Sequence, residues 1–120
     1  EAYKEGTLTI RSSGLQRRNF VSLHEVSEII ERILDRFPKG VHVVNAVSAW
    51  HPRILDIAEM VYKIWNNHKE KPIKLKILSN MPNHSNQFTV SSSFFKPIFK
   101  KIKSVNHMEK VILNLINTKN

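Results

Sequence analysis

One segment of the sequence has the pattern of an amphipathic helix with both of its ends marked. Ser22 stands three residues before Glu25, which is the spacing of a capping box at a helix N-terminus. Pro38 and Gly40 then end the pattern. Between these ends the apolar side chains recur with a period of 3.6 residues, at Leu23, Val26, Ile29, Ile30, Ile33, Leu34 and Phe37. A helix with one apolar face needs a core to cover that face, so the sequence predicts a packed globular segment.

Shorter patterns around this helix predict strands and further helices. Residues 7–11 and 73–77 alternate polar and apolar side chains, which is typical of half-buried strands. Residues 41–44 are short and β-branched, and they predict a buried strand. A second helix is expected with Pro52 in its first turn, and a last helix spans residues 105–116. Strands alternating with helices place the chain in the α/β class, with three to four strands and three main helices.

The two halves of the chain differ in charge. The net charge is +9, yet residues 1–60 carry eight basic and eight acidic side chains. Residues 61–120 carry eleven lysines against Glu70 and Glu109. All six arginines lie in the first half, and a planar guanidinium grips a phosphate with two hydrogen bonds where lysine acts as a point charge. We therefore expect a general attraction to anions from the second half and a specific phosphate ligand in the first.

Several kinds of chemistry have no motif in this chain. Its three glycines, Gly6, Gly14 and Gly40, are too far apart for a G-x-G-x-x-G turn or a P-loop. Neither tyrosine is followed by a lysine four residues later, and the six histidines lack the spacing of metal ligands. Alone, the chain is not expected to be an enzyme or to hold a metal. The lack of cysteine fits a cytoplasmic protein, and the short apolar runs predict no membrane-spanning helix.

Residues 14–26 read G-L-Q-R-R-N-F-V-S-L-H-E-V. This stretch resembles the G-x-Q-x-R-D-F-V-x-V-x-D-V motif of the NAD-dependent epimerase/dehydratase enzymes, the extended short-chain dehydrogenase/reductase family, which act on nucleotide sugars. The neighbouring segments also resemble the family in their order: residues 7–11 are similar to the strand before the motif, residues 43–45 to a later strand end, and residues 54–61 to the helix after it. The resemblance covers about half of the chain and weakens after Trp65.

The resemblance implies that residues 1–120 are a single C-terminal substrate-binding domain, a fragment that lacks its N-terminal dinucleotide-binding domain. The full enzyme would use NAD(P), none of which this chain binds alone, and the catalytic Tyr-x-x-x-Lys pair would lie in the missing part. By motif, Arg18 matches the arginine that binds the diphosphate, and Phe20 matches the aromatic residue of the nucleotide pocket. Gln16 is a further candidate, because alternation in an extended loop puts it on the side of Arg18, with Arg17 toward solvent.

The sequence also departs from the family pattern. Asn19 stands where the family has Asp, and residues 81–84 lack the second phosphate-binding arginine that the family often has. The late D-x-S-K-x-x-x-L-G pattern is degraded at residues 91–97. Phe20 remains open as either a core residue or a ligand contact. The expected partners are a nucleotide diphosphate sugar, the missing Rossmann domain and a second copy of the chain, since an unpaired strand at residues 41–44 would expose an apolar edge.

A different function class also remains open. Lys96, Lys100, Lys101 and Lys103 are interleaved with apolar and aromatic side chains. A basic patch of this kind binds phosphates and stacks bases, so a small nucleic-acid-binding module is the alternative to the nucleotide-sugar interpretation. The solvated face of a lysine-rich protein explains the same run, and we favour this explanation over nucleic-acid binding.

Overall fold

A computed structural model describes residues 2–36, 39–78 and 101–118 of the chain. In chain order its elements are α1 (Ala2–Glu5), β1 (Thr7–Ile10), α2 (Leu23–Arg36), α3 (Ile54–His68), β2 (Lys74–Ile77) and α4 (Lys101–Asn117). The predicted α/β class is confirmed. The chain divides into two compact units. Of the described residues, the first unit comprises 2–18, 52–78 and 109–118, and the second unit comprises 19–36, 39–51 and 101–108.

A two-stranded parallel sheet lies at the centre of the first unit. β1 and β2 pair in a register that runs from Thr7 opposite Lys74 to Ile10 opposite Ile77. The Leu78 amide continues the ladder by donating to the Ile10 carbonyl at 2.9 Å. Parallel strands need a long crossover between them, and α3, which contacts both strands, lies within it. Among the described residues of this unit, the buried apolar side chains are Ile10, Ala58, Ile73, Ile112 and Ile116.

The three predicted helices form, with shifted boundaries. α2 begins directly after Ser22, as its capping box predicts. α3 begins at Ile54, two residues beyond Pro52, because Arg53 keeps an extended backbone and takes the N-cap position. α4 begins at Lys101, four residues before the predicted start of this helix. The apolar periodicity therefore locates helices well, whereas their ends depend on local hydrogen bonds.

Among the described residues of the second unit, three apolar side chains are buried: Ile29 on α2, and Val47 and Trp50 from the irregular segment that follows. Four polar residues of this unit are buried as well: Ser22, Glu25, Ser48 and Ser104. In the described part of this unit, polar and apolar side chains are therefore buried in similar numbers.

The buried strand expected at residues 41–44 is not present. The backbone there has no regular structure, and Val41 and Val43 are 98% and 93% exposed. β-branched residues favour a strand only where a neighbouring strand completes the hydrogen bonds, and the described residues of the second unit contain none. The expected self-association through a strand edge at this segment therefore lacks the strand that it requires. The extended segment predicted at residues 87–90 and the short helix predicted after Ser91 lie outside the described residues, as do residues 81–84 and 91–97.

Candidate functional site

The loop that carries the arginine motif is fastened to the start of α3. Three backbone hydrogen bonds join the two segments, from the amides of Arg18, Ile54 and Leu55 to the carbonyls of Pro52, Gln16 and Gly14, at 3.0, 3.1 and 2.9 Å. The first amides of a helix have no partner inside the helix, so the loop carbonyls supply what the helix itself lacks. The motif backbone is held in place by this capping arrangement.

Gly14 allows the close approach of loop and helix. Its φ of +70° lies in the left-handed region, and a Cβ at this position would lie 3.1 Å from Cβ of Leu55. The absence of a side chain at Gly14 is therefore what allows the loop to lie this close to Leu55.

Arg17 and Arg53 lie opposite each other in an isolated antiparallel bridge. The hydrogen bonds on either side of this bridge leave them a non-hydrogen-bonded pair, whose side chains share one face. Successive residues of an extended segment alternate between faces, so Gln16 and Arg18 belong to the opposite face.

The three candidate ligand residues differ in how they are engaged. Arg18 is exposed, and its side chain has no hydrogen bond or ion pair with the part of the chain that the structure describes. Gln16 is half-buried, and its amide exchanges hydrogen bonds with the hydroxyl of Ser12 at 3.1 and 3.4 Å. Phe20 is half-buried and belongs to the second unit, whereas Gln16 and Arg18 belong to the first.

On the face of Arg17, a carboxylate is paired with the N-cap arginine of α3. Arg53 donates from Nε and Nη2 to Oδ1 of Asp56 at 2.9 and 2.6 Å, and its amide donates to Oδ2 at 2.7 Å. The hydrogen bond from Arg53 lowers the pKa of Asp56, and the charge of Arg17 adds to this effect. The same hydrogen bond raises the pKa of Arg53. The spacing of Asp56 three residues after the N-cap was a readable signal for this contact.

Asn19, the residue that departs from the family pattern, organises the segment before α3. Its Nδ2 donates to the Ser48 carbonyl at 2.9 Å and lies 3.0 Å from Nε2 of His51, and its Oδ1 accepts from the Ser48 amide at 3.0 Å. An aspartate has no N–H donor for the carbonyl or the imidazole. The asparagine is therefore suited to this segment in a way that the family's aspartate is not.

Glu25 lies at the centre of a buried polar cluster, the Glu25 cluster, with Ser22, Ser48 and Ser104. Glu25 is 2% exposed, and its carboxylate accepts from the Ser22 amide at 2.8 Å, the Ser22 hydroxyl at 3.0 Å and the Ser104 hydroxyl at 2.8 Å. Burial by itself raises the pKa of Glu25, but hydrogen bonds from the three serines outweigh burial and leave the pKa below its ordinary value. The capping box indicated Ser22 as a partner of Glu25, whereas no local pattern indicated Ser48 or Ser104.

The basic run that suggested nucleic acid is mostly outside this description. Lys96 and Lys100 are not among the described residues, and Lys103 is exposed at the start of α4. Within the described residues, no group of three or more His, Cys, Asp or Glu side chains is placed to hold a metal ion. In the same part of the chain, no helix combines the length and the apolar character needed to cross a membrane.

Comparisons with known proteins add no assignment to this geometry. No protein-family model matches the sequence, and the searches of curated proteins and of solved structures gave no match either.

Proposed function

We propose that this chain is the nucleotide-sugar-binding part of an NAD-dependent sugar-nucleotide epimerase/dehydratase, with the cofactor site and the catalytic groups on polypeptide outside it. The support is the motif at residues 14–26 together with the order of β1, α2 and α3 around it. In this proposal Arg18 binds the diphosphate, and Gln16, which belongs to the same unit, is a secondary contact. The chain alone binds substrate and turns nothing over.

The observation that carries the proposal is the state of Arg18. Its backbone is held against Pro52 by a 3.0 Å hydrogen bond, while its guanidinium is exposed and engages none of the described residues. A fixed backbone with an unengaged guanidinium suits a ligand that supplies paired anionic oxygens, because the planar fork then meets two oxygens at once. Gln16 contributes less, since its amide is already hydrogen-bonded to Ser12.

Isothermal titration calorimetry with a panel of nucleotide diphosphate sugars tests this proposal. We expect the wild-type chain to bind at least one of them and Arg18→Ala to weaken binding roughly 10- to 100-fold, the range for a charged hydrogen-bonding pair. Arg11→Ala is the matched control, because Arg11 is an exposed arginine of the same unit whose loss changes the net charge equally. Its affinity should equal that of the wild type.

Three results would contradict the proposal: no binding by the wild-type chain, equal binding by wild type and Arg18→Ala, or equal losses in Arg18→Ala and Arg11→Ala. A single-stranded oligonucleotide belongs in the same panel. If the oligonucleotide bound more tightly than every nucleotide sugar, with an affinity that fell steeply with salt, the basic-module interpretation would replace this one.

A further inference from the structure

The first unit contains a cavity of about 750 Å³, the α3-end cavity, at the edge of the sheet where both strands begin. Gly6 and Ile73, which directly precede β1 and β2, line this cavity. His68 and Asn117, the last residues of α3 and α4, line it as well. Its volume lies in the range of small-molecule sites, about 300–1,000 Å³. The cavity is therefore large enough to hold a small ligand.

The charged side chains of the α3-end cavity are mainly basic. One carboxylate and three lysines line it: Glu70, Lys4, Lys69 and Lys71. The chain neighbours of the lining residues add one charge of each sign, Glu5 and Lys74, so they leave this balance unchanged. Neither Lys4 nor Lys71 forms an ion pair with any residue that the structure describes. The cavity thus offers an anionic ligand two lysines that the described residues leave unpaired.

The wall of the cavity also carries an aromatic ring whose position is fixed. Trp65 is half-buried, and its Nε1 donates to the Lys71 carbonyl at 2.9 Å. One helical position further on, Oδ1 of Asn66 accepts from the Ile73 amide at 2.8 Å, and its Nδ2 donates to the Ile73 carbonyl at 3.3 Å. These bonds hold the end of α3 against the connector to β2. The indole is therefore ordered before a ligand binds, which lowers the entropic cost of binding.

We propose that the α3-end cavity binds a nucleoside phosphate, with the phosphates on Lys4 and Lys71 and the base on the ring of Trp65. Lysine binds phosphate as a point charge on a flexible stem, so an exposed lysine adjusts to a bound phosphate. Aromatic side chains stack on any base, because every base has a flat π face. A ligand with only one of these two parts would leave either the lysines or the indole without a contact.

This cavity is distinct from the place where the proposed function puts its substrate. The Arg18 backbone is fastened to Pro52, next to the N-terminal end of α3, whereas the cavity lies at His68, the C-terminal end. The fifteen residues of α3 span about 20 Å. The inference therefore goes beyond the proposed function, and different variants test the two.

A purely structural role for the basic residues makes a different prediction. Positive charge beside a helix C-terminus stabilises the helix, because the last carbonyls carry a partial negative charge. Lys69, the C-cap residue of α3, is placed for this role. Lys4 belongs to α1 and Lys71 stands two residues beyond the C-cap, so the helix end does not account for their place in the lining. These two lysines are therefore the ones to substitute.

Nitrogen-15 NMR of the full chain, titrated with ADP at constant ionic strength, tests the proposal. The chain has two tryptophans, each with one indole N–H signal, and the signal that disappears in Trp65→Phe assigns them. We expect the Trp65 signal to shift as ADP binds and the Trp50 signal, from the second unit, to stay in place. An unchanged Trp65 signal at millimolar ADP would overturn the proposal, as would equal shifts of both signals.

A pair of lysine substitutions tests the contacts with phosphate. Lys4→Ala combined with Lys71→Ala should raise the ADP dissociation constant about tenfold, the loss expected for two exposed charge pairs. Lys63→Ala combined with Lys76→Ala is the matched control, because it removes the same charge from exposed lysines of the same unit outside the cavity. The control should stay within about twofold of the wild type, since salt screens distant charges. Equal losses in the two double variants would reveal only general charge attraction and would refute the site.

Arg18→Ala separates this cavity from the proposed substrate site. The variant should leave the shift of the Trp65 signal and the ADP dissociation constant unchanged. If Arg18→Ala abolished the shift while the Lys4 and Lys71 double variant preserved it, ADP would belong to the arginine loop. The present inference would then fail and the proposed function would stand.

Two partial ligands test whether both halves of the nucleotide are recognised. Pyrophosphate lacks the base and adenosine lacks the phosphates, so each should bind about tenfold more weakly than ADP, or weaker still. Pyrophosphate binding as tight as that of ADP would show that the base makes no contact with Trp65. Adenosine binding as tight as that of ADP would show that the lysines do not bind phosphate. Either result would overturn the assignment of a nucleoside phosphate to this cavity.

Discussion

Different kinds of interaction stabilise the interior of each of the two units. The first unit has a parallel strand ladder and apolar residues from strands and helices, such as Ile10 and Ile73, at its centre. Among the described residues of the second unit the most buried are polar: Ser48 and Glu25 are 1% and 2% exposed, whereas Trp50 is 6% exposed. A core of this kind depends on complete hydrogen bonding, because a buried polar group that loses its partner costs more than the bond itself contributes. The second unit should therefore be the more sensitive to single polar substitutions and to acid.

Among the substitutions, we expect Glu25→Ala to lower the free energy of unfolding most. The substitution leaves the hydroxyls of Ser22 and Ser104 and the Ser22 amide without their acceptor in a buried site. We expect the free energy of unfolding of the second unit to fall by about 2–4 kcal/mol. Hydrogen exchange of individual amides measures this unit by unit, with faster exchange expected in α2 and unchanged exchange in α3.

Two variants sharpen that experiment. Glu25→Gln keeps the side-chain length and one acceptor oxygen, so it should cost less than Glu25→Ala. Glu31→Ala removes an exposed glutamate from the same helix and should change stability by no more than about 0.5 kcal/mol. If Glu25→Ala were as mild as Glu31→Ala, the hydrogen-bonded cluster would not be what stabilises the second unit.

Acid should produce the second-largest difference in stability between the two units. A carboxylate whose pKa is lowered by folding stabilises the protein above its unfolded pKa, and this contribution is lost as the pH falls through the folded pKa. Protonation of Glu25 should thus remove this stabilisation of the second unit progressively below about pH 4.3. The pKa of Asp56 in the first unit is also lowered, but this residue is partly exposed and contributes less.

Fluorescence of Trp50 reports on this transition in a Trp65→Phe background, because Trp50 is the buried tryptophan of the second unit. Its emission should shift to the red at a higher pH than the pH at which amide exchange in α3 accelerates. Coincident transitions would show that the two units unfold together, and the proposed difference would then be wrong.

Asn19→Asp should have the next largest effect, a loss of about 2 kcal/mol in the second unit. An aspartate cannot donate to the Ser48 carbonyl, and its charge would lie beside that carbonyl oxygen. Asn106→Asp, an exposed change on α4 in the same unit, makes the same chemical substitution away from such contacts. If the two variants had equal unfolding midpoints in urea, the hydrogen bonds of Asn19 would not be what stabilises the Ser48–His51 segment.

The sequence predicts the local parts of both units and misses the parts that need distant residues. The capping box of Ser22 and Glu25 and the alternation in β2 are both encoded within a few positions, and both are confirmed. The Ser104 hydroxyl lies 79 positions from Glu25, so no local pattern could reveal their hydrogen bond. Residues 41–44 show the opposite error, since β-branched composition suggested a strand without any knowledge of whether a neighbouring strand existed.

At the candidate site, the sequence pointed to individual residues but not to the hydrogen bonds that those residues make. The motif drew attention to Arg18 and Gln16 by resemblance, but only the structure shows that the Gln16 amide is hydrogen-bonded to Ser12 and that the Arg18 guanidinium engages no described residue. The contact of Arg53 with Asp56 was within reach of sequence reasoning, because an acidic residue three positions after a helix start is a common cap.

In the first unit, a comparison of two glycines isolates the cost of the loop's close approach. Gly14 and Gly6 have φ values of +70° and +62°, so an alanine at either position carries a similar backbone cost of about 1 kcal/mol. Only at Gly14 would the new Cβ meet Leu55, whereas nothing lies within 4 Å at Gly6. We expect Gly14→Ala to cost about 1 kcal/mol more than Gly6→Ala, measured by urea unfolding. Equal costs would show that the loop yields freely to the added methyl group.

The smallest loss of stability is expected from removing the side chain that caps α3. This loss can be compared with the loss from removing the side chain that caps α2. Ser22→Ala removes a buried N-cap hydroxyl and should cost about 1–2 kcal/mol. Asp56→Ala removes a partly exposed carboxylate, while the loop carbonyls of Gln16 and Gly14 still accept from the first amides of α3, so its cost should stay below about 1 kcal/mol. Amide exchange in the first turn of each helix measures both. A larger loss for Asp56→Ala than for Ser22→Ala would mean that the loop does not cap α3 on its own, and that the first unit depends on a single charged side chain as heavily as the second does.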